Sequence, residues 1–315
     1  MKIEKTIVII CTLAILAGCC TSRGNIQKEP EYSLDINDLK VRDPFIFANI
    51  ADSTYYLHAN SGRNSIICYS SKDLKMWKLC GESFVPQEDF WGTKDFWAPD
   101  LYYYKGHYYM FVTFSSDKQK RGVSILMSDR PDGDFKPIIN EPVTDKEWMC
   151  LDGSLYVDKH GNPWMIYCRE WVEVGDGEIW AQPMLPDLSG MAGQPVFLFK
   201  GSAASWAGLI TSGARTGIVT NSPFVITTDD GKLLMIWSSF LKNGEYAIGS
   251  AVSSSGNIAG PWENSEEALN DDGGHAMFFH TFDGRMLMSY HTNELPERIV
   301  LRPVHIVDGR VMLLN

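Results

Sequence analysis

The chain has 315 residues, of which 44% are hydrophobic, 12% aromatic and 21% charged. This composition is typical of a folded globular protein and excludes a disordered chain. The formal net charge of −11 argues against a non-specific nucleic-acid binder, because such proteins need basic patches to neutralise phosphate.

The start of the chain has the pattern of an export signal. A short basic start precedes an apolar run, Thr6–Leu16, that is too short for a lasting membrane-spanning helix. The run ends in Leu16-Ala17-Gly18-Cys19, a small-residue cleavage site followed by cysteine, which resembles a bacterial lipoprotein signal. We therefore predict a signal peptide over residues 1–18 and a polar tether over 19–40. A lipid on Cys19 would be the only membrane attachment, holding the exported protein in the bacterial cell envelope, in the periplasm or on the outer surface.

The cysteines leave two questions open. The alternative to a lipoprotein is an ordinary signal peptide that contains cysteines, and Cys20 blurs which cysteine would carry the lipid. Export would place the folded part in an oxidising compartment, where disulfides form. Two disulfides and four buried free thiols are equally compatible with the sequence, since pairing cannot be deduced from it. The cysteines concerned lie in two hairpins, Cys68 with Cys80 and Cys150 with Cys168.

From Val41 onward, short strands alternate with turns. Four strand pairs are joined through glycine-containing turns, as expected of hairpins: Leu101–Tyr104 with Tyr108–Phe114, Leu155–Val157 with Trp164–Cys168, Phe224–Thr227 with Leu233–Ser238, and Met277–His280 with Met286–His291. A fifth pair, Phe45–Ala48 with Thr54–His58, lacks the glycine.

A second pair of strands follows these units and ends near an aromatic residue, as at Trp77, Phe135 and Trp262. A four-stranded module that recurs about every 50–70 residues is typical of a propeller blade. Five modules fit residues 41–315 without a linker, so we predict one all-β domain, a five-bladed β-propeller. A β-sandwich is the alternative, but it would not explain the recurrence of one four-strand order.

Polar segments precede the first strand of each module. In a propeller, the innermost strands of all blades start at one face beside the central axis, so we expect these segments to converge on one funnel. They are Arg42-Asp43-Pro44, Phe96-Trp97-Ala98-Pro99-Asp100, Leu151-Asp152-Gly153, Asn221-Ser222-Pro223 and Gly273-Gly274-His275.

Asp43 and Asp152 have the residue type and the repeat position for glycoside cleavage. In the inverting reaction an ionised base and a protonated acid stand about 6.5–9.5 Å apart on either side of the bond. A third charged group often sets which carboxyl keeps its proton. Taken singly, each aspartate is more often a turn residue, but their equivalent positions in separate modules favour a functional role.

These segments together resemble glycoside hydrolase family 43, the five-bladed propellers that include arabinanases, arabinofuranosidases and xylosidases. The resemblance spans about residues 41–315 and is carried by Arg42-Asp43-Pro44-Phe45, Phe96-Trp97-Ala98-Pro99, Leu151-Asp152-Gly153-Ser154-Leu155, the run 231–239 and Gly273-Gly274-His275-Ala276-Met277. It implies that Asp43 is the general base and that Asp152 raises the pKa of the acid and orients it. Trp97 would form part of the sugar-binding wall. His275 would lie at the funnel floor, where some relatives hold a calcium ion or an ordered water.

One position departs from the family pattern. The resemblance places the general acid in a short acidic-Gly-Pro segment at the start of the fourth blade, where this chain has Asn221-Ser222-Pro223. An asparagine amide has no titratable proton to give, so we expect Asn221 to bind substrate only. Glu170, after the strand paired with that of Asp152, is our first candidate for the acid. It fits equally well as a residue at the rim of the funnel that binds substrate hydroxyls or solvent.

The sequence therefore predicts an inverting glycoside hydrolase that releases arabinofuranose or a related sugar from an oligosaccharide or polysaccharide. Two further explanations of Asn221 are a substrate whose leaving group needs little protonation, and a non-catalytic glycan-binding protein on the same propeller. A protein-interaction scaffold is a remote third function. We expect a monomer that requires no cofactor and binds no nucleic acid.

Overall fold

Antiparallel strands form five large sheets in the computed structural model, which describes residues 33–314. In chain order, the first sheet contains β1 Leu34–Asp35, β2 Phe45–Asn49, β3 Thr54–Asn60, β4 Ile66–Ser71 and β5 Met76–Phe84. The second contains β6 Lys94–Tyr104, β7 His107–Ser115, β8 Gly122–Ser128 and β9 Lys136–Pro137, and the third β10 Cys150–Val157, β11 Pro163–Arg169, β12 Glu178–Pro183 and β13 Val196–Lys200.

A separate hairpin, β14 Ile210–Ser212 with β15 Arg215–Gly217, precedes the fourth sheet. The fourth sheet contains β16 Asn221–Thr227, β17 Leu233–Phe240, β18 Tyr246–Ser253 and β19 Glu263–Asn264, and the fifth β20 Gly273–His280, β21 Met286–Thr292, β22 Ile299–Val307 and β23 Arg310–Leu313. Within residues 33–314 the helical segments are α1 Trp171–Val174 and two 3-10 turns, Ile36–Asp38 and Gly201–Ala203. Among residues 33–314, no helix is both long enough and apolar enough to span a bilayer.

The five sheets are the blades of a closed propeller. Their first long strands, β2, β6, β10, β16 and β20, contact one another in sequence, and β20 contacts β2 to close the ring. Ser289 Oγ in blade 5 donates to the Pro44 carbonyl at the entrance of blade 1, at 2.8 Å. The predicted all-β fold with five blades is confirmed.

Large side chains fill the space between the sheets of neighbouring blades. Trp77, Trp237, Tyr167 and Tyr290 are fully buried, and burial of such side chains supplies most of the favourable free energy of folding. The sheets therefore form a rigid support for side chains near the axis.

The innermost strands begin earlier than the sequence pattern predicts. In blades 2 to 5 they extend back over the polar segments, to Lys94, Cys150, Asn221 and Gly273. The pattern missed these starts because the strand register shifts within each of them, and such a shift breaks the alternation of apolar and polar residues.

At the N-terminal side, strand β1 lies within the predicted tether of residues 19–40 and pairs with β5 of blade 1. The predicted signal peptide and Cys19 lie outside the described residues. The four cysteines of the blades are free thiols, of which Cys68, Cys150 and Cys168 are buried and Cys80 is exposed.

Candidate active site

The same backbone distortion occurs at the entrance of every blade. A non-glycine residue there adopts a positive φ, which such residues rarely do: Asp43 (55°), Ala98 (48°), Asp152 (53°), Ser222 (44°) and His275 (57°), with Asp95 (57°) as a second such residue in blade 2. In blades 2 to 5 this residue lies inside the register shift of the innermost strand. Bulges re-aim side chains, and here the repeated bulge brings residues from different blades together beside the axis.

Three of these residues meet in a group that we call the pit: Asp43, Asp152 and His275. His275 Nδ1 lies 3.1 Å from Asp43 Oδ1 and 3.9 Å from Asp152 Oδ2. The two carboxylate oxygens are therefore separated by at most the sum of these distances, about 7 Å. Ser222 N–H donates to the same Asp152 Oδ2 at 2.9 Å. The predicted convergence of these residues is thus present in the structure.

Burial and charge repulsion give the three residues of the pit different protonation states. Burial raises the pKa of Asp152 to about 8, and the negative charge of Asp43 adds to this rise. Burial also raises the pKa of Asp43, but His291 and Arg42 oppose the rise. Burial lowers the pKa of His275 to about 3, which makes it neutral. At neutral pH the pit thus combines a protonated Asp152 with the more readily ionised Asp43.

Two residues near the pit were not predicted from the sequence. Asp100 lines a small cavity next to Asp152 and His275, and its pKa is raised well above the usual value by burial and by the charge of Asp152. His291, on β21, accepts the Asp43 N–H through Nδ1 at 3.2 Å. Asp100 ends one of the polar segments, so its position was a usable signal. His291 had no signal, because strand pairing brings it to the pit.

A second group forms one side of the site, and we call it the wall: Trp97, Arg121, Asp95 and Glu170. The Arg121 guanidinium carbon lies 4.2 Å from the centre of the Trp97 ring, a favourable cation–π geometry. Arg121 also donates to Asp95 Oδ2 through Nη2 (3.0 Å) and Nε (3.2 Å), and it pairs with Glu170 through Nη1. Trp97 is 38% exposed, so part of its ring is free to contact a ligand.

Glu170 is buried, in contrast to most glutamates. Burial raises its pKa, while the charge and the hydrogen bond of Arg121 oppose the rise. The negative charge of Glu170 also contributes to the raised pKa of Asp152, which places Glu170 within electrostatic range of the pit.

Asn221 lies one residue before the positive-φ position of blade 4. Its Nδ2 donates to the Tyr246 hydroxyl at 3.0 Å. The pKa of Tyr246 is raised by burial and by the charges of Asp152 and Asp43, so this hydrogen bond lies at the border of the pit. Asn221 therefore lies beside the carboxylates but brings no titratable proton.

The predicted calcium ion near His275 stays a prediction, and its ligands would have to include water or backbone oxygens in addition to side chains. Calcium takes six to eight oxygen ligands, whereas the part of the chain that the structure describes contains no group of three or more His, Cys, Asp or Glu side chains arranged to hold a metal ion. His275 instead contacts Asp43. We derive no step of the chemistry through a metal.

Comparison with known proteins connects this site to one family. The family model described as Glycosyl hydrolases family 43 matches residues 36–312. The crystal structure of the endo-arabinase from Bacteroides thetaiotaomicron VPI-5482 is 53% identical, with a TM-score of 0.87 over 89% of this chain and 99% of that chain.

Two more distant matches are a sequence relative and a solved structure. The extracellular exo-alpha-(1->5)-L-arabinofuranosidase of Cellvibrio japonicus is 22% identical over 285 residues, which are 81% of this chain and 79% of that protein. The crystal structure of an endo-1,4-beta-xylanase from Bacteroides thetaiotaomicron, 23% identical, has a TM-score of 0.71 over 88% of this chain and 95% of that chain. The xylanase likeness shows the fold alone.

Proposed function

The chain belongs to glycoside hydrolase family 43, and on that premise we propose that it hydrolyses an arabinofuranose-containing oligosaccharide or polysaccharide with inversion at the anomeric carbon. The observation that carries this proposal is the pit, in which two carboxyl groups from different blades lie at most about 7 Å apart. Inverting glycosidases place carboxyl groups on both sides of the scissile bond, and in the pit the proposed base meets the carboxyl group that is proposed to modulate the acid. The 53% identical endo-arabinase supports arabinofuranose as the sugar.

Asp43 is the proposed general base. It must be ionised to take a proton from water, and two neighbours favour that state: Arg42 Nε lies 3.6 Å from Asp43 Oδ1, and neutral His275 presents Nδ1 to the same oxygen at 3.1 Å. The Asp43 N–H donates to His291, which fixes the backbone beneath the carboxylate. The base is therefore held in one orientation before substrate binds.

Asp152 keeps its proton at neutral pH and is the proposed modulator of the acid. For the acid itself we propose Glu170, whose buried carboxyl lies on the wall within electrostatic range of Asp152. Arg121 positions this carboxyl and stacks on Trp97, where the exposed part of the indole suits the C–H face of a sugar ring.

The test uses two substrates that differ only in their need for an acid. A nitrophenyl arabinofuranoside has a good leaving group, whereas an arabino-oligosaccharide needs its leaving oxygen protonated. We expect Asp43→Asn to abolish turnover of both, and Glu170→Gln to lower turnover of the oligosaccharide roughly 10²–10⁴-fold while the nitrophenyl substrate is still cleaved. Glu173→Gln is the matched control, because Glu173 follows on α1 and pairs with Lys120 and Arg169. Equal losses on both substrates in Glu170→Gln would contradict the acid role.

Asn221 favours a second function, glycan binding without hydrolysis. If Glu170 does not donate a proton, the pit and Trp97 remain able to bind a sugar. Binding of arabino-oligosaccharides by calorimetry, with no turnover of either substrate, would support this second function over the first.

We also propose that the protein is exported and attached to the cell envelope only through a lipid on Cys19, and that it acts as a monomer. Two relatives are named extracellular enzymes, the one from Cellvibrio japonicus and one from Bacillus subtilis, which supports export. Replacing Cys19 with Ala should move the protein from the membrane fraction to the soluble fraction. Retention at the membrane would point to Cys20, and Cys20→Ala tests that alternative.

A further inference from the structure

One type of hydrogen bond recurs between neighbouring blades beside the pit. The backbone N–H of a positive-φ residue donates to a side chain on the second strand of the preceding blade, and we call this contact the inter-blade bond. It joins Asp152 N to Thr113 Oγ1 (3.0 Å), His275 N to Ser238 Oγ (2.9 Å) and Asp43 N to His291 Nδ1 (3.2 Å).

The three acceptors hold equivalent positions in their sheets. Each pairs with the residue just before the positive-φ residue of its own blade: Thr113 with Trp97, Ser238 with Asn221, and His291 with Gly274. In blade 3 the same register pairs Cys168 with Leu151. Cys168 is therefore the residue that should accept the N–H of Ser222 in blade 4. At the remaining junction, the amide of Asn60 donates to the Phe96 carbonyl at 2.8 Å.

At the junction of blades 3 and 4 the hydrogen bond goes elsewhere. Ser222 N–H donates to Asp152 Oδ2 at 2.9 Å, while Cys168, which holds the acceptor position in the register, is fully buried. Thiol sulfur is a weak acceptor compared with a hydroxyl. Because the residue at this position carries a sulfur, the Ser222 N–H remains available to donate to the Asp152 carboxyl group.

We propose that Cys168 is a positioning residue, which assigns the Ser222 N–H to Asp152 by not accepting it. This inference rests on the proposed function, because it concerns the same pit. A hydroxyl at position 168 would restore the inter-blade bond seen at three of the other four junctions and release Asp152 Oδ2.

The consequence concerns the proton on Asp152. A hydrogen bond from a backbone N–H favours the ionised carboxylate, so its loss raises the pKa of Asp152. The charged and titratable groups that face Asp152 are Asp43, Arg42, Glu170, Asp100, Tyr246 and His275. A change at Cys168 leaves all of these in place, and burial raises the pKa of the Cys168 thiol so far that it carries no charge.

The test compares Cys168→Ser with Cys168→Ala. We expect the alkaline limb of the pH profile for arabino-oligosaccharide hydrolysis, which depends on the acid, to move up by about one to two pH units in Cys168→Ser, since the serine hydroxyl takes the Ser222 N–H. Cys168→Ala has no acceptor and should keep the wild-type limb. Equal limbs in both variants, or equal shifts in both, would overturn the proposal.

A second measurement does not depend on catalysis. In urea titrations at a series of pH values, the unfolding free energy of Cys168→Ser relative to Cys168→Ala should be constant below about pH 7. It should then fall above about pH 8, because a carboxyl with a higher folded-state pKa loses stability as pH rises through that pKa. If no hydrolysis is detected but this divergence is present, the proposed function fails and the role of Cys168 stands. Parallel curves would refute the role itself.

Discussion

The charge of Asp43 should control the proton on Asp152, and Asp43→Asn removes that charge with little change in shape. In the wild type, the pKa of Asp152 is raised to about 8, by burial first and by Asp43 second. The same pKa predicts that hydrolysis declines above about pH 8, because Asp152 then becomes ionised. In Asp43→Asn we expect the pKa of Asp152 to fall.

The size of the fall follows from the geometry of the pit. Both carboxylates contact His275 Nδ1, at 3.1 Å and 3.9 Å, so their nearest oxygens are at most about 7 Å apart. At an effective dielectric constant of about 20, two unit charges at that distance repel by about 2.4 kcal/mol. This corresponds to about 1.7 pH units. The pKa of Asp152 should therefore fall from about 8 to about 6, and the remaining rise above an ordinary aspartate belongs to burial and to the charge of Glu170.

The assay must report protonation directly, because Asp43→Asn is expected to be inactive. Carboxyl carbon NMR of protein labelled at aspartate gives the titration of Asp152, and the signal lost in Asp152→Asn provides its assignment. Glu173→Gln is the control, since Glu173 is paired with Lys120 and Arg169 and is not among the groups that shift the pKa of Asp152, and it should leave the titration unchanged. A fall of less than about half a pH unit would refute the electrostatic coupling between Asp43 and Asp152.

Three further predictions concern the same site. In urea titrations, the free energy of unfolding of Asp152→Asn should rise relative to the wild type between about pH 4 and about pH 8, because the raised folded-state pKa of Asp152 costs the wild type stability over that window. Parallel curves for the two proteins would contradict the raised pKa. Arg121→Met should lower the free energy of unfolding by about 3–5 kcal/mol, since it leaves Asp95 and Glu170 as unpaired, largely buried carboxylates, and a loss below about 1 kcal/mol would mean that the pairs are solvated. Asn221→Glu separates the two functions: if the chain lacks a proton donor, it should raise turnover of arabino-oligosaccharides about ten-fold or more, whereas Asn221→Gln should not. An unchanged rate in Asn221→Glu is the result expected if Glu170 already donates the proton.

The fold was predictable because its signals are local. Glycine-containing turns such as Asp230-Gly231 and Asp283-Gly284 mark the hairpins, and their recurrence gives the number of blades. The convergence of Asp43, Asp152 and His275 then follows from the propeller architecture. These residues required no knowledge of side-chain packing, only of where the innermost strand begins.

The wall and the protonation states were not predictable in the same way. Arg121 reaches Trp97, Asp95 and Glu170 from the start of the blade 2 strand β8, and no sequence pattern marks that contact. The pKa of Asp152 depends on burial and on a neighbour more than 100 residues away in the chain. Both are properties of the folded arrangement, since the same residues exposed on a turn would titrate normally.

The positive-φ positions explain why a change at Asn221 need not disturb the pit. Asp152 is held from blade 4 by the backbone N–H of Ser222, and the Asn221 side chain points its amide at Tyr246. The residue that precedes the bulge can therefore vary in chemistry while the bulge itself keeps the carboxylates in place. Asp43 would remain oriented by His275 and His291 in either case. Binding of a sugar and donation of a proton thus depend on separate parts of the blade 4 entrance. A carboxyl group introduced at position 221 therefore tests proton donation without changing how Asp43 and Asp152 are held.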